Sequence, residues 1–114
     1  MRLVTFEDPA RQSRIGAITK ENRIVDLHTA CACYLREVKG EPAFYRLADA
    51  LVPPDMRALF RGGDTSLETA RQAFAYVLDR GESSPGPRGE ATSYDFREIT
   101  LKPPIIPKPE AGTR

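Results

Sequence analysis

The sequence predicts a small α+β domain, in which an antiparallel meander of three short strands, with a further strand late in the chain, is packed by three to four helices. Three observations support this. The 114 residues match the usual size of one domain. Runs rich in β-branched residues occupy the first 27 positions. Apolar residues then recur at spacings of three and four as far as Gly81, which is typical of helices.

The three early strands follow from short apolar runs with polar breaks between them. Residues 2–6 alternate polar and apolar side chains, and the turn residues Glu7, Asp8 and Pro9 end this run. Two more runs cover residues 14–18 and 23–27, with only four polar residues between them. A short polar connection between two such runs predicts a β-hairpin, which extends the first strand into an antiparallel meander.

The residues after the third strand predict two helices. Asp26 is a predicted N-cap for the first helix, whose apolar face comprises Leu27, Ala30, Cys31, Tyr34, Leu35 and Val38. A second, shorter helix is predicted from Glu41 to Leu51, because Pro42 suits a helix start. Its apolar positions are Ala43, Leu47, Ala50 and Leu51.

Two further helices are predicted before residue 81. Asp55 caps a short one with apolar positions Met56, Leu59 and Phe60, and Gly62 and Gly63 are predicted to end it in left-handed conformations. The segment from Thr65 to Glu68 has the pattern of a capping box for the last helix, which ends near Gly81. The predicted buried stripe of that helix is Leu67, Ala70, Phe74, Val77 and Leu78.

The remainder of the chain changes character. Residues 82–90 are rich in Ser, Pro and Gly and predict an exposed loop, and Tyr94, Phe96, Ile99 and Leu101 predict a last strand or extended segment. Residues 102–109 contain four prolines and cannot form a helix or a central strand. We therefore divide the chain into a domain over residues 1–101 and a proline-rich connector over residues 102–114.

Charge and apolar content argue against several classes of partner. The 17 Lys and Arg residues against 16 Asp and Glu are scattered along the chain, whereas nucleic acid binding needs a concentrated positive surface. No apolar run approaches the roughly 20 residues of a membrane-spanning helix, and the chain opens without the pattern of a secretory signal. The sequence thus predicts a cytoplasmic protein that binds neither nucleic acid nor membrane.

No set of residues predicts a catalytic, cofactor-binding or metal site. The single histidine, His28, has no second histidine or carboxylate at helical spacing, so we predict a solvated side chain. Cys31 and Cys33 are one residue apart on a helix and point to different sides, which predicts two free, small apolar residues. The Glu7–Asp8, Asp64–Glu68 and Asp95–Glu98 pairs are explained by turns, helix starts and strand ends.

The order of several segments nevertheless resembles the N-terminal region of the fumarylacetoacetate hydrolase family. The segments are the opening strand at 1–6, the 14–16 strand, the 23–27 strand, the 51–56 turn and the 62–64 break. The closing segment 99–109, Ile-Thr-Leu-Lys-Pro-Pro-Ile-Ile-Pro-Lys-Pro, completes the resemblance over nearly the whole chain. Glu110 to Arg114 departs from it, because the family continues there into a hydrophobic strand that opens its catalytic domain.

The resemblance implies a non-catalytic N-terminal domain. In the family, a larger and mostly β catalytic domain follows, binds Mg²⁺ or a similar divalent ion through acidic residues, and cleaves or rearranges carbon–carbon bonds in diketo acids. The catalytic histidine and glutamate lie beyond the proline-rich segment, so no catalytic or metal-binding residue transfers to this chain. The implied partner is such a catalytic domain, in the same or another chain, and a homodimer is compatible with the resemblance.

Two alternatives remain open at this point. The chain could be a free-standing interaction module, since extended proline-rich segments bind aromatic grooves on other proteins. It could also be an enzyme by itself, a reading that the lack of converging polar groups disfavours. The proline-rich segment fits the first alternative and the family resemblance equally well.

Overall fold

The computed structural model describes residues 1–103 and has an α+β fold. Five strands form one antiparallel sheet: β1 (Leu3–Glu7), β2 (Ser13–Ile18), β3 (Arg23–Asp26), β4 (Ser93–Asp95) and β5 (Thr100–Lys102). Their spatial order is β4-β3-β2-β1-β5. The four helices are α1 (Leu27–Glu37), α2 (Phe44–Leu51), α3 (Met56–Arg61) and α4 (Gly63–Arg80). The predicted fold class and three-stranded meander are therefore confirmed.

The sheet is curled because its two edge strands are nearly consecutive in sequence. Strand β4 ends at Asp95 and β5 begins at Thr100, with a single 3₁₀ turn, Phe96–Glu98, between them. In a flat sheet, four strand spacings would separate these edges by about 19 Å. Five residue steps span at most about 18 Å, so the edges must bend toward each other. The single late strand of the prediction is split into two by this turn.

The curl creates a small second core on the sheet face away from the helices. Phe6 and Ile24 are fully buried there, and the Phe6 ring lies 5.7 Å from the ring of Tyr94, centroid to centroid. Gly16 lies between them in the middle strand. A Cβ at this position would lie 2.5 Å from Ile24 Cγ2 and 2.9 Å from a ring carbon of Phe6, so only glycine allows this close approach.

The main core lies between the sheet and the helices, with α1 at its centre. Asp26 is the N-cap of α1, as predicted, and its side chain accepts a hydrogen bond from the Thr29 amide. Every residue from Leu27 to Cys33 is buried, because the sheet, α2 and α4 surround this helix. The prediction of one buried stripe therefore misses His28, Thr29, Ala32 and Cys33 at the start of α1. It also wrongly includes Val38, which lies after the helix and is half-exposed.

The other helices show where local patterns were misleading. Helix α2 begins at Phe44, later than predicted, and buries Ala48, while Ala50 is exposed. Helix α4 buries a stripe of small residues and one valine on its inner side, and Leu78 is exposed, contrary to the prediction. The buried residues of α4 are Ser66, Ala70, Ala73 and Val77. Small side chains on this face let α4 pack closely against α1.

The predicted capping box at Thr65 to Glu68 is wrong. Helix α4 already begins at Gly63, so Thr65 lies inside its first turn. The break between α3 and α4 depends on Gly63 alone, whose φ is +66°, whereas Gly62 is right-handed at −72°. A capping box does occur at the 3₁₀ turn. There the Asp95 side chain accepts from the backbone amide of Glu98, and the Glu98 side chain accepts from the backbone amide of Asp95.

The segment after α4, predicted to be an exposed loop, is partly buried and hydrogen-bonded to the rest of the domain. Gly86 is buried, and its amide donates to the Glu90 carbonyl. The Arg80 and Arg36 side chains donate to the carbonyls of Pro85 and Pro87. Lys102 is the last residue of β5, so the sheet includes one residue of the predicted connector, and residues 104–114 of that connector lie outside the described residues. No helix within residues 1–103 has the length and apolar character needed to cross a membrane.

Candidate functional site

A polar cleft of about 330 Å³ is the strongest candidate site in the described part of the chain. It lies where the first turn of α1 meets α2, the end of β3 and the loop before β4. Its ionisable side chains come from five separate segments of the chain, so only the fold brings them together. They are Asp8, Arg14, Asp26, His28, Asp49, Arg88 and Glu90, with the phenols of Tyr45 and Tyr94.

Arg14 and Asp26 form the floor of the cleft. Arg14 Nε donates to Asp26 Oδ2 at 2.8 Å and Nη2 donates to Oδ1 at 3.2 Å, a two-point ion pair. Asp26 is only 2% exposed and also caps α1 through the Thr29 amide. Burial alone would lower the pKa of Arg14, but the hydrogen bonds and charge of Asp26 outweigh it and raise that pKa above its ordinary value.

His28 connects this ion pair to α2. Its Nδ1 lies 3.3 Å from Arg14 Nη2, and its Nε2 lies 2.6 Å from Asp49 Oδ1. A guanidinium has no acceptor atom, so Nδ1 accepts from Arg14 and the ring proton resides on Nε2, which donates to Asp49. Both ring nitrogens are thus occupied by protein groups. The imidazole has no free lone pair with which to take a proton from a substrate.

The opposite wall is formed by Tyr45, Glu90 and Arg88. The Tyr45 hydroxyl donates a short hydrogen bond to Glu90, and the Arg88 guanidinium carbon stacks 3.8 Å above the centre of the Tyr45 ring. Burial first, and then the neighbouring Glu90 carboxylate, raises the pKa of Tyr45. Burial alone would raise the pKa of Glu90, but hydrogen bonds from Tyr45 and from backbone amides lower it overall.

Several charged groups of the cleft are therefore engaged by other groups of the protein. Asp8 accepts from the amides of Ala10 and Gln12, both at 2.9 Å, and so stabilises the turn predicted at this point. Within residues 1–103, no group of three or more His, Cys, Asp or Glu side chains is arranged to hold a metal ion. The arrangement is suited to joining the sheet, α1 and α2 rather than to activating a nucleophile.

The prediction of a solvated His28 is wrong. The side chain is 11% exposed, and its carboxylate partner lies 21 residues away on another helix. A search at spacings of three and four cannot find such a pair, because it depends on how α1 and α2 pack. The prediction that this chain carries no catalytic, cofactor-binding or metal residue stays a prediction.

The two cysteines are buried and free, in agreement with the sequence. Burial raises the pKa of the Cys31 thiol to about 12. Burial also raises the pKa of Cys33, although the nearby Arg80, whose Nη2 lies 3.0 Å from Sγ, opposes it. A buried thiol with a raised pKa is a poor nucleophile, and neither cysteine lines the polar cleft.

No protein-family model, curated protein or solved structure matches this chain. The interpretation of the cleft therefore depends on its own geometry.

We predict that Asp49→Ala lowers the free energy of unfolding by about 1 kcal/mol, because the buried Nε2–H of His28 loses its acceptor. The cost is near the lower end for a charged hydrogen bond, since the Asp49 side chain is 69% exposed and water can replace it in part. Urea unfolding measures the change. Asp49→Asn retains an oxygen acceptor and should lose less than half as much; an equal loss in both variants would show that the hydrogen bond is not the cause.

Proposed function

We propose that this chain is a non-catalytic, N-terminal domain of a fumarylacetoacetate hydrolase-like protein, and that it acts by packing against a catalytic domain. The observation that carries the proposal is that Arg14, Asp26, His28 and Asp49 in the polar cleft bind one another. Both nitrogens of His28 are engaged by Arg14 and Asp49, so the most reactive side chain in the cleft serves structure. The ordered resemblance of segments along residues 1–109 and the α+β fold support the same assignment.

The surface offers apolar side chains for such packing. Leu101 on the edge strand β5 is 47% exposed, and β5 ends at the next residue, Lys102. A domain that followed in the same chain, or bound from another chain, would lie near this edge. An exposed leucine on an edge strand is a poor feature for an isolated domain and a useful one for an interface.

The remaining parts of the proposal follow from the family. Mg²⁺ or a similar divalent ion would be held by the catalytic domain, which would act on a carbon–carbon bond of a diketo acid. The complete protein would be cytoplasmic, and a dimer of the assembled protein is compatible with the proposal. A free-standing interaction module is the competing function.

The test combines association with activity. The purified full chain is analysed by size-exclusion chromatography with light scattering, alone and with a separately expressed catalytic domain of this family. We expect a complex of defined mass and Mg²⁺-dependent cleavage of an acylpyruvate by that complex, while the chain alone is inactive. Leu101→Asp should weaken the complex at least tenfold, and Val38→Asp, which changes an equally exposed residue at the end of α1, should not.

Two outcomes would contradict the proposal. If the chain stays a stable, inactive monomer beside the catalytic domains tested, the interaction-module function becomes the better one. If the chain alone turns over the acylpyruvate with metal, it is an enzyme in its own right.

A further inference from the structure

Apart from His28, the polar cleft contains six charged side chains, and the protein itself matches only three of them. Arg14 and Asp26 bind each other in a two-point ion pair. Glu90 uses both carboxylate oxygens, one for the Tyr45 hydroxyl and one for the Arg88 amide. The other charges lie on the side chains of Arg88, Asp8 and Asp49. These three groups are available to a ligand.

Arg88 presents a guanidinium group that is held in place by an aromatic ring. The guanidinium carbon lies 3.8 Å from the centre of the Tyr45 ring, and Tyr45 is itself fixed by its hydrogen bond to Glu90. Within residues 1–103, the hydrogen bond of Arg88 uses its backbone amide, and its side chain has no hydrogen-bonded acceptor. Stacking occupies only a face of the planar group. Its N–H edge can therefore donate two parallel hydrogen bonds to a carboxylate.

Two carboxylates of the cleft each have one oxygen without a hydrogen bond in the described part of the chain. Asp49 uses Oδ1 for His28, and Asp8 uses Oδ1 for two backbone amides of its turn, so Oδ2 of each is open. Asp49 follows Tyr45 by one turn of α2, which places their Cβ atoms roughly 6 Å apart on one face. Asp49 is thus a neighbour of the Arg88 guanidinium that stacks on Tyr45, whereas Asp8 reaches the cleft from the turn between β1 and β2.

The balance of charge restricts the ligand. Four carboxylates and two guanidinium groups line the cleft, a net charge of −2, and the open groups are one cation and two anions. An inorganic anion would be repelled by the carboxylates, and a simple amine would leave the guanidinium unmatched. One carboxylate and two cationic groups on the same molecule would match all three. The other lining residues are mostly polar, which suits a hydrophilic ligand: Gln12, Thr29, Ala91 and Tyr94.

We propose that the cleft binds a free basic α-amino acid such as lysine. The α-carboxylate accepts from Arg88, the α-ammonium group donates to Asp49, and the side-chain ammonium group donates to Asp8. The adjacent positions of Arg88 and Asp49 suit two charged groups that are attached to one carbon atom. Binding includes no chemical step. The inference goes beyond the proposed function and does not rest on it, since a free-standing domain could bind the same ligand.

The experiment is a titration of the ¹⁵N-labelled full chain, followed by amide NMR at constant ionic strength. The probes are L-lysine, L-norleucine, which lacks the side-chain ammonium group, and cadaverine, which lacks the carboxylate. We expect L-lysine to produce saturable shifts in residues 45–49 and 86–91. Each comparison compound should bind at least about tenfold more weakly, as expected for the loss of a charged hydrogen bond.

Three variants assign the contacts. Arg88→Gln should weaken the binding of L-lysine about tenfold and leave that of cadaverine no weaker, because only lysine has the carboxylate. Asp49→Asn, which retains an acceptor for His28, should weaken the binding of both compounds. Asp8→Asn should weaken the binding of L-lysine but not of L-norleucine. The matched control is Arg71→Gln, which changes an exposed arginine of α4 outside the cleft and should leave all affinities unchanged.

Three results would overturn the proposal. The first is the absence of saturable shifts at the cleft with L-lysine. The second is cadaverine binding as tightly as L-lysine, since the cleft would then be only an acidic surface. The third is an unchanged affinity for L-lysine in Arg88→Gln. None of these results bears on association with a catalytic domain, so the proposed function is tested separately.

Discussion

Asp26→Ala should lower the free energy of unfolding by about 4 kcal/mol, the largest effect that we expect for a side chain of the cleft. The substitution leaves the partly buried Arg14 guanidinium without its carboxylate, which typically costs 3–5 kcal/mol. It also removes the acceptor of the Thr29 amide at the start of α1, worth about 1 kcal/mol. The two losses overlap, because His28 and water can solvate part of Arg14.

Denaturant unfolding measures this effect, and two further variants separate its causes. Asp26→Asn keeps an N-cap oxygen but removes the charge, so it should lose about 3 kcal/mol. Combining Arg14→Leu with Asp26→Asn removes both charges and should recover at least 1 kcal/mol relative to Asp26→Asn alone. If the double variant is less stable than the single one, the ion pair is not the source of the cost.

Gly16→Ala should destabilise the domain by about 3 kcal/mol, at the upper end for adding one carbon to a packed core. The new Cβ would lie 2.5 Å from Ile24 Cγ2, 2.9 Å from a Phe6 ring carbon and 3.0 Å from the Val25 carbonyl oxygen. Phe6 and Ile24 are fully buried inside the curl, so neither can move aside into solvent. Strand β2 would have to shift away from β3 or the curl would have to open.

The control for this variant is Gly89→Ala. Gly89 has a φ of +80° with no atom within 4 Å of an added Cβ, so its substitution tests backbone strain without a clash. We expect Gly89→Ala to lower the free energy of unfolding by about 1 kcal/mol. Thermal unfolding of both variants under the same conditions makes the comparison. Similar losses at the two positions would mean that the curled face has room for a methyl group, and the account of the second core would be wrong.

Much of the secondary structure could be predicted because its causes are local. Alternation along residues 2–6 and the four-residue connection before Arg23 determine the strands and their antiparallel pairing. Asp26 and Asp55 cap their helices as predicted, since an N-cap needs only a side-chain oxygen and an amide two or three residues on. These features involve residues close together in the chain.

The capping-box error shows where local reasoning fails. The Thr65 to Glu68 pattern is present, but Gly63 can take a left-handed conformation and lets α4 start two residues earlier. The stripe error in α4 has a similar origin, because Leu78 matches the spacing but is exposed, while the face that packs against α1 has smaller side chains. Two faces of one helix can satisfy the same period, and only the neighbouring element decides between them.

The sequence by itself determined the α+β class, the meander and most helix positions of this protein. Only the tertiary structure decided that His28 is buried between Arg14 and Asp49, that Gly16 lies inside a curled sheet, and which side of α4 faces the core. The physical reason is the distance along the chain over which each interaction acts. Periodicity and capping depend on backbone geometry over a few residues, whereas ion pairs and close packing depend on contacts between different segments of the chain.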